Sequence, residues 1–254
     1  MFEGNCLILW FFIVVIALAF AIELILFLNW RKENKYEYEL TIFREKSLIR
    51  QIDAHFIFNF LSSLQSHIID DDRSEAIKYI SKFSNVLRQF LENSLTPNIP
   101  IQKELDAVSK YLEIEKFRFK DKFNFEIIID EEMNPYELKM PSFLLQPYVE
   151  NALYHGVLYL EKEDYRKGHI KVEVHLKGEG VQFVVTDNGV GRKRAMVYEM
   201  HKQKKSLGNQ FIEERLTLLT KHYKKNFSMK YIDLRDDDGK PIGTSLYINI
   251  PIIT

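Results

Sequence analysis

Hydrophobic positions divide the chain into four regimes before any single residue is weighed. From Cys6 to Leu28 nearly every position is Leu, Ile, Val, Phe or Ala, and Glu23 is the only charge. A run of that length can cross a bilayer as one helix, so residues 6–28 are expected to be a transmembrane anchor. Residues 29–47 turn polar and charged, with Tyr36, Leu40 and Phe43 at a loosely helical period. Either a signalling helix leaving the membrane or a solvated linker fits them. From Leu48 the pattern tightens, as Ile52, Phe56, Phe60, Leu64 and Ile68 recur at spacings of three and four. Asp70-Asp71-Asp72 interrupts it, and Ala76, Ile77, Ile80, Phe83, Val86, Leu87 and Phe90 then mark a second amphipathic helix. Two such helices form a hairpin over residues 48–95 that cannot bury both apolar stripes alone. Pairing with a second copy into a four-helix bundle would bury them, so a homodimer is expected.

Residues 96–120 read as a connecting helix. Beyond them the period shortens to two. Strands are predicted at Phe123 to Ile129, Ile170 to Leu176, Val181 to Val185, Phe227 to Asp233 and Ser245 to Ile250, with helices near Pro141 to Gly156 and Leu207 to His222. That order fits a mixed sheet covered on one face by helices, in residues 121–254. The fold class is α+β.

At 254 residues the chain can bury one substantial core beside a smaller helical unit. The 35 Lys and Arg against 36 Asp and Glu leave a net charge of −1, which gives no electrostatic footprint for nucleic acid. Cys6 is the only cysteine, so there is neither a disulfide framework nor a zinc spacing. Charge also orients the apolar run. A cleaved signal peptide competes for it, since Ala17, Ala19 and Ala21 are small, but Glu3 precedes the run and no Lys or Arg does. Arg31, Lys32 and Lys35 follow it, with Trp30 at the interface. The positive-inside rule then predicts a single-pass protein of the inner (cytoplasmic) membrane with its carboxyl-terminal bulk in the cytoplasm. Glu23 would either face a partner helix or snorkel to the nearer interface.

Two strings carry the chemistry. The first, Glu150-Asn151-Ala152-Leu153-Tyr154-His155-Gly156, closes an apolar stretch at helical spacing; the second, Thr186-Asp187-Asn188-Gly189-Val190-Gly191, ends a strand-like alternation. A carboxylate at a strand end can accept a hydrogen bond from an exocyclic amino group, and glycines let backbone approach a ligand closely. Asn151 beside Glu150 offers hard oxygen for the Mg2+ that accompanies a triphosphate. The plain reading of Asp-Asn-Gly alone is a hairpin turn. Both strings in this order favour an ATP site.

The strings resemble the N box and the G1 box of the ATP-binding module shared by histidine kinases, gyrase, heat-shock protein 90 and the mismatch-repair ATPases. The resemblance sharpens at Gln51-Ile52-Asp53-Ala54-His55-Phe56-Ile57-Phe58-Asn59, which is similar to the phosphoacceptor helix of LytS-type sensor histidine kinases, Gln-Ile-Asn-Pro-His-Phe-Leu-Phe-Asn. It continues through Ile101-Gln102-Lys103-Glu104-Leu105, Tyr111 to Phe119 and Leu145 to Asn151. It implies a two-layer α/β sandwich binding ATP and Mg2+, His55 as phosphoacceptor, and catalytic roles for Glu150 and Asn59. It further implies nucleotide contacts from Asn151 (with the metal), His155, Asp187, Gly189, Gly191, Gly208 and Thr244, the last in the final box before the last strand. The partner it implies is the receiver domain of a response regulator of the LytTR class. With a single span, the stimulus is expected to arrive through the membrane helix, a membrane sensor partner or the bilayer itself.

Physical chemistry supports the carry-over to His55. Neutral imidazole is a nucleophile near pH 7 once its second nitrogen is oriented, and Gln51 and Asn59 lie one turn to either side of it. His67 lacks such flanks and reads as an ordinary helical side chain. Two departures stand out. Asp53-Ala54 replaces Asn-Pro, removing the proline that would distort the helix, and helical spacing predicts that Asp53 points off the histidine face. Between Gly191 and Leu207 a basic run, Arg192, Lys193, Arg194, Lys202, Lys204 and Lys205, resembles the family's mobile lid over the triphosphate. It closes on Ser206-Leu207-Gly208-Asn209-Gln210-Phe211 where the family has Gly-Ile-Gly-Leu-Lys-Asn, keeping one glycine at the next helix start. An ATP-dependent histidine kinase is the expected function; a nucleotide-binding membrane scaffold that has lost catalysis is the alternative.

Overall fold

The computed structural model describes residues 10, 18–32, 34–35, 54–69, 73–160, 166–195 and 207–253. Residues 18–32 are helical with exposed side chains, and among the described residues no helix is long and apolar enough to cross a membrane. Most of segment 29–47, together with Gln51, Asp53 and residues 196–206, lies outside the described residues.

Helices α1 (Ala54–Ile69) and α2 (Arg73–Ser94) form the expected hairpin. One face of α2, with Ala76, Tyr79, Phe83, Val86 and Phe90, is buried. Phe60 of α1 stacks on Phe83 with ring centroids 3.6 Å apart, and Tyr79 stacks at 4.8 Å on Phe117 of the next helix, α3 (Ile101–Arg118). These aromatic contacts join the hairpin to the connecting helix. That helix is shorter than the predicted 96–120, because β1 (Asn98–Pro100) first pairs antiparallel with β3 (Lys139–Pro141). Pro100 then serves as its N-cap.

The larger sheet has five strands: β2 (Phe123–Ile129), β4 (Gly168–Lys177), β5 (Gly180–Asp187), β6 (Ser228–Arg235) and β7 (Pro241–Pro251). Their order is β2-β4-β5-β7-β6, with β2 parallel to β4 and the other pairs antiparallel. Each strand predicted by alternation is present, and β2 has the expected limits. Ile170, Val172 and Val174 of β4 are fully buried while their neighbours are not, which is the period-two pattern of a sheet covered on one face. Phe183, Ile248 and Ile250 extend that buried face across β5 and β7.

The helix expected near Pro141 to Gly156 is a composite. Residues 142–145 form a turn in which Phe143 has φ 59°, helix α4 (Gln146–Asn151) follows, and a π-helical turn (Ala152–Gly156) leads into a 3-10 turn (Val157–Tyr159). The apolar spacing of Phe143 to Leu145 is helical, but those side chains fill the core from a turn. Helix α5 (Leu207–Tyr223) matches its expected span closely.

Candidate nucleotide site

The end of α4 and the end of β5 meet at two glycines. A Cβ on Gly189 would lie 2.2 Å from the carbonyl carbon of Gly156, and one on Gly156 would lie 2.8 Å from Oδ1 of Asp187. Only hydrogen fits at either position. The π-helical turn, one residue wider than an α-turn, delivers Gly156 to this point, and its carbonyl accepts from the Val190 N–H at 3.4 Å. The N-box and G1-box strings thus form a single wall.

Asp187 is the last residue of β5, opposite Thr244 of β7. Its side chain is 6% exposed, and Oδ1 accepts the Gly189 N–H at 2.8 Å. Burial pushes its carboxyl up to about 7, against the opposing pull of the Gly189 and Thr244 backbone amides. A carboxylate buried at a strand end with a glycine turn beside it is suited to accept from an amino group. Thr244 is also buried, beside the donor or acceptor pair formed by Thr186 Oγ1 and Ser245 Oγ at 2.9 Å. Gly243, at φ 145°, passes so close that a Cβ there would overlap the Asp187 carbonyl oxygen.

Asn188 anchors the turn sideways: its Oδ1 accepts the His169 N–H at 2.7 Å and its Nδ2 donates to the Lys167 carbonyl at 2.9 Å. Gly191 takes φ 77°, and the chain then enters a helical turn at residues 192–195. Arg192, read from sequence as part of a basic lid, is instead tied to the edge strand. Its Nε and Nη2 donate to the two carboxylate oxygens of Asp233 at 2.8 and 3.2 Å, and its guanidinium lies 4.7 Å from the Tyr231 ring centre. That fork holds the Asp233 carboxyl below the usual carboxylate range. Lys202, Lys204 and Lys205 fall outside the described residues.

Glu150 and Asn151 sit half-buried at the end of α4. The Gln146 side-chain amide donates to Glu150 Oε1 at 3.1 Å, one turn along the helix. Mg2+ riding on a triphosphate takes most of its ligands from phosphate and water, so it needs one or two protein oxygens. The Asn151 and Glu150 side chains fit that demand, and among the described residues no group of three or more His, Cys, Asp or Glu forms a dedicated cage. His155 is half-buried in the π-helical turn, 6.3 Å from the Tyr159 ring. Gly208 lies in the first turn of α5.

The structure therefore brings Asp187, Gly189, Gly191 and Thr244 against the π-helical turn that carries His155 and continues from the end of α4 with Glu150 and Asn151. His55 and Asn59 lie elsewhere, on α1 of the hairpin, with Asn59 one turn past His55 and half-buried. Side chains that sequence reasoning gave no role also reach the site. Gln146 holds Glu150. Arg118 and Glu115 of α3 grip Tyr154: Arg118 Nη2 donates to the Tyr154 hydroxyl at 2.6 Å, and that hydroxyl donates to Glu115 Oε2 at 3.1 Å. Arg118 also pairs with the same Glu115 oxygen at 2.5 Å.

A histidine-bearing helical hairpin joined by a connecting helix to an α/β sandwich with N-box and G1-box walls defines a class of phosphotransfer proteins. Residues 44–123 match the family model described as histidine kinase. The chain is 32% identical over 146 residues to sensor protein LytS of Staphylococcus epidermidis, which covers 58% of this chain and 24% of that protein. It is 30% identical over 175 residues to sensor histidine kinase BtsS of Escherichia coli K12, covering 67% and 28%. The chain thus spans about a quarter of the length of these relatives. Among solved structures, Acinetobacter baumannii histidine kinase AdeS aligns at a TM-score of 0.41 and 15% identity, over 79% of this chain and 99% of that one. Residues 44–123 thus match the histidine kinase family, and the chain resembles that family's LytS-type sensors.

Proposed function

We propose that the protein is a membrane sensor histidine kinase of a two-component system that autophosphorylates His55 with ATP and passes the phosphoryl group to an aspartate of a response regulator of the LytTR type. The observation that carries this reading is the packing of Gly189 on Gly156, which joins the two strings into one wall and sets buried Asp187 at its strand end as a carboxylate acceptor. In the reaction an imidazole nitrogen of His55 attacks the γ-phosphorus. The N–P bond forms, the bond from phosphorus to the β,γ-bridging oxygen breaks, ADP leaves with that electron pair, and the ring proton is lost to Glu150 or water. Asn59, one turn along α1, orients the imidazole. Asn151 would hold Mg2+, whose charge screens the phosphates. The rest of the rate comes from positioning.

The apolar segment 6–28 supports placement in the cytoplasmic membrane, with the sandwich on the cytoplasmic side by the positive-inside rule. A membrane sensor partner would supply the stimulus, and a second copy of the chain would complete the helical bundle. Incubating the full chain with γ-labelled ATP tests the central step. The label should be acid-labile and alkali-stable, and His55→Gln should abolish it. A label that persists in His55→Gln, or its absence from the wild type, would refute the kinase reading and leave the scaffold alternative.

A further inference from the structure

Glu104, in the first turn of α3, is 1% exposed, a costly place for a carboxylate. Its Oε2 accepts the Phe143 N–H and its Oε1 the Leu145 N–H, each at 2.9 Å, and the Gln146 N–H adds a third bond. These amides stand at the start of α4, where helical donors have no partner within the helix. Leu145, the residue at that boundary, supplies no side-chain cap. Glu104 provides from a distant helix the acceptor that a local Ser or Asp would otherwise provide, and an anion there also suits the helix dipole.

Arg215 of α5 holds the same turn from its carbonyl side. Its guanidinium, 6% exposed, donates to the carbonyls of Ser142 and Phe143 and offsets the Glu104 charge. Residues 142–146 are gripped on their N–H groups by α3 and on their C=O groups by α5. Phe143, at φ 59°, occupies a left-handed conformation that a bulky residue takes only when its surroundings impose it. Immediately beyond the gripped turn come Glu150 and Asn151. On the far side, α3 stacks on the hairpin through Phe117 and Tyr79.

We propose that Glu104 and Arg215 are positioning residues for the nucleotide site, fixing the start of α4, and with it Glu150 and Asn151, so that nucleotide affinity answers to the position of α3. This rests on the nucleotide-site reading above. The test compares the full-length wild type with Glu104→Gln, which keeps the shape but turns an amide donor toward one of the N–H groups. KM for ATP and Kd for the Mg2+ complex of AMPPNP should rise about tenfold, the scale of a lost charge-assisted hydrogen bond, while turnover at saturating ATP changes far less. Arg215→Gln should act in the same direction, and the double variant should be no weaker than the poorer single one, because both act on one turn.

Unchanged KM and Kd in Glu104→Gln, with only a lower melting temperature, would overturn the proposal in favour of a purely structural role. If that variant does not fold, hydrogen exchange on the wild type decides. AMPPNP should slow exchange at the Phe143 and Leu145 amides and across residues 101–108, since coupling is reciprocal. Unchanged exchange there, with nucleotide bound, would overturn the coupling. A wild type that binds no AMPPNP would sink the nucleotide-site reading itself, and this proposal with it.

Discussion

Gly189 lies against Gly156 so closely that a methyl group on the former would fall 2.2 Å from the carbonyl carbon of the latter. The obstacle is backbone, which cannot swing aside as a side chain can. Gly189→Ala should therefore push the G1 turn off the π-helical turn, at a cost of roughly 1–3 kcal/mol for overpacking. Urea denaturation would measure that loss. Nucleotide affinity should fall by more than about tenfold, because Asp187 moves with the turn. An alanine variant with wild-type affinity would show that this contact does not shape the site.

Asp187 gives the site a pH dependence whose sign can be worked out. Its carboxyl is pushed up to about 7 by burial, so the folded chain holds this proton more tightly than the unfolded one. The stability it contributes is complete below the ordinary carboxylate range and is lost as pH rises through about 7. Nucleotide binding runs the other way. An amino group donating to Asp187 favours the ionised form, so binding below neutrality must expel a proton. Affinity should fall about tenfold between roughly pH 8 and pH 6, with close to one proton released at the lower end. Calorimetry in buffers of different ionisation enthalpy measures both, and Asp187→Asn should flatten the slope. A proton count of zero near pH 6 would mean that the carboxylate does not receive the ligand.

The strands and the hairpin were legible because their signals are local. Alternation in Phe123 to Ile129 marks β2 residue for residue, and the seven-residue spacing of Ala76, Phe83 and Phe90, two helical turns apart, marks the face of α2 that is buried. Asp187, Gly189 and Thr244 were legible through their strings and do converge. Illegible was whatever depends on a contact distant in sequence. Phe143 to Leu145 carry a helical spacing, yet they form a turn because Glu104 and Arg215 take their amides and carbonyls. Glu104 shares its helix with several other charged residues, and nothing in its sequence neighbours marks it, or Glu115, as buried. Arg192 is one more cation of a basic run in sequence, and its partner Asp233 lies on a strand far along the chain.

The cluster of Arg118, Glu115 and Tyr154 distinguishes losing a hydrogen bond from stranding a charge. Tyr154→Phe removes a hydroxyl that accepts from Arg118 and donates to Glu115, while leaving the ion pair intact. It should cost about 1 kcal/mol. Arg118→Met leaves the Glu115 carboxylate, 1% exposed, without its cation, and should cost about 3–5 kcal/mol. Paired denaturation curves of the two variants test the ordering. Equal losses would mean that Arg118 contributes no more than its hydrogen bond to the tyrosine.

The hairpin leaves large apolar side chains uncovered on the faces turned away from α3. Ile77, Ile80 and Leu91 of α2 are 65%, 44% and 56% exposed, at spacings that put them on one stripe, while Phe58, Leu61 and Ile68 are exposed on α1. Single surface apolar residues need no explanation, but a stripe on each of two adjacent helices marks an interface. A second copy packing the same stripes would convert two hairpins into a four-helix bundle. Ile77→Glu with Leu91→Glu should change the stability of the isolated chain little, since both side chains are exposed within it. The same pair of charges facing its own image across a two-fold axis should prevent association. In mild detergent, sedimentation should give twice 30.2 kDa for the wild-type polypeptide and 30.2 kDa for the double variant. A double variant that sediments as a dimer would place the interface on some other face.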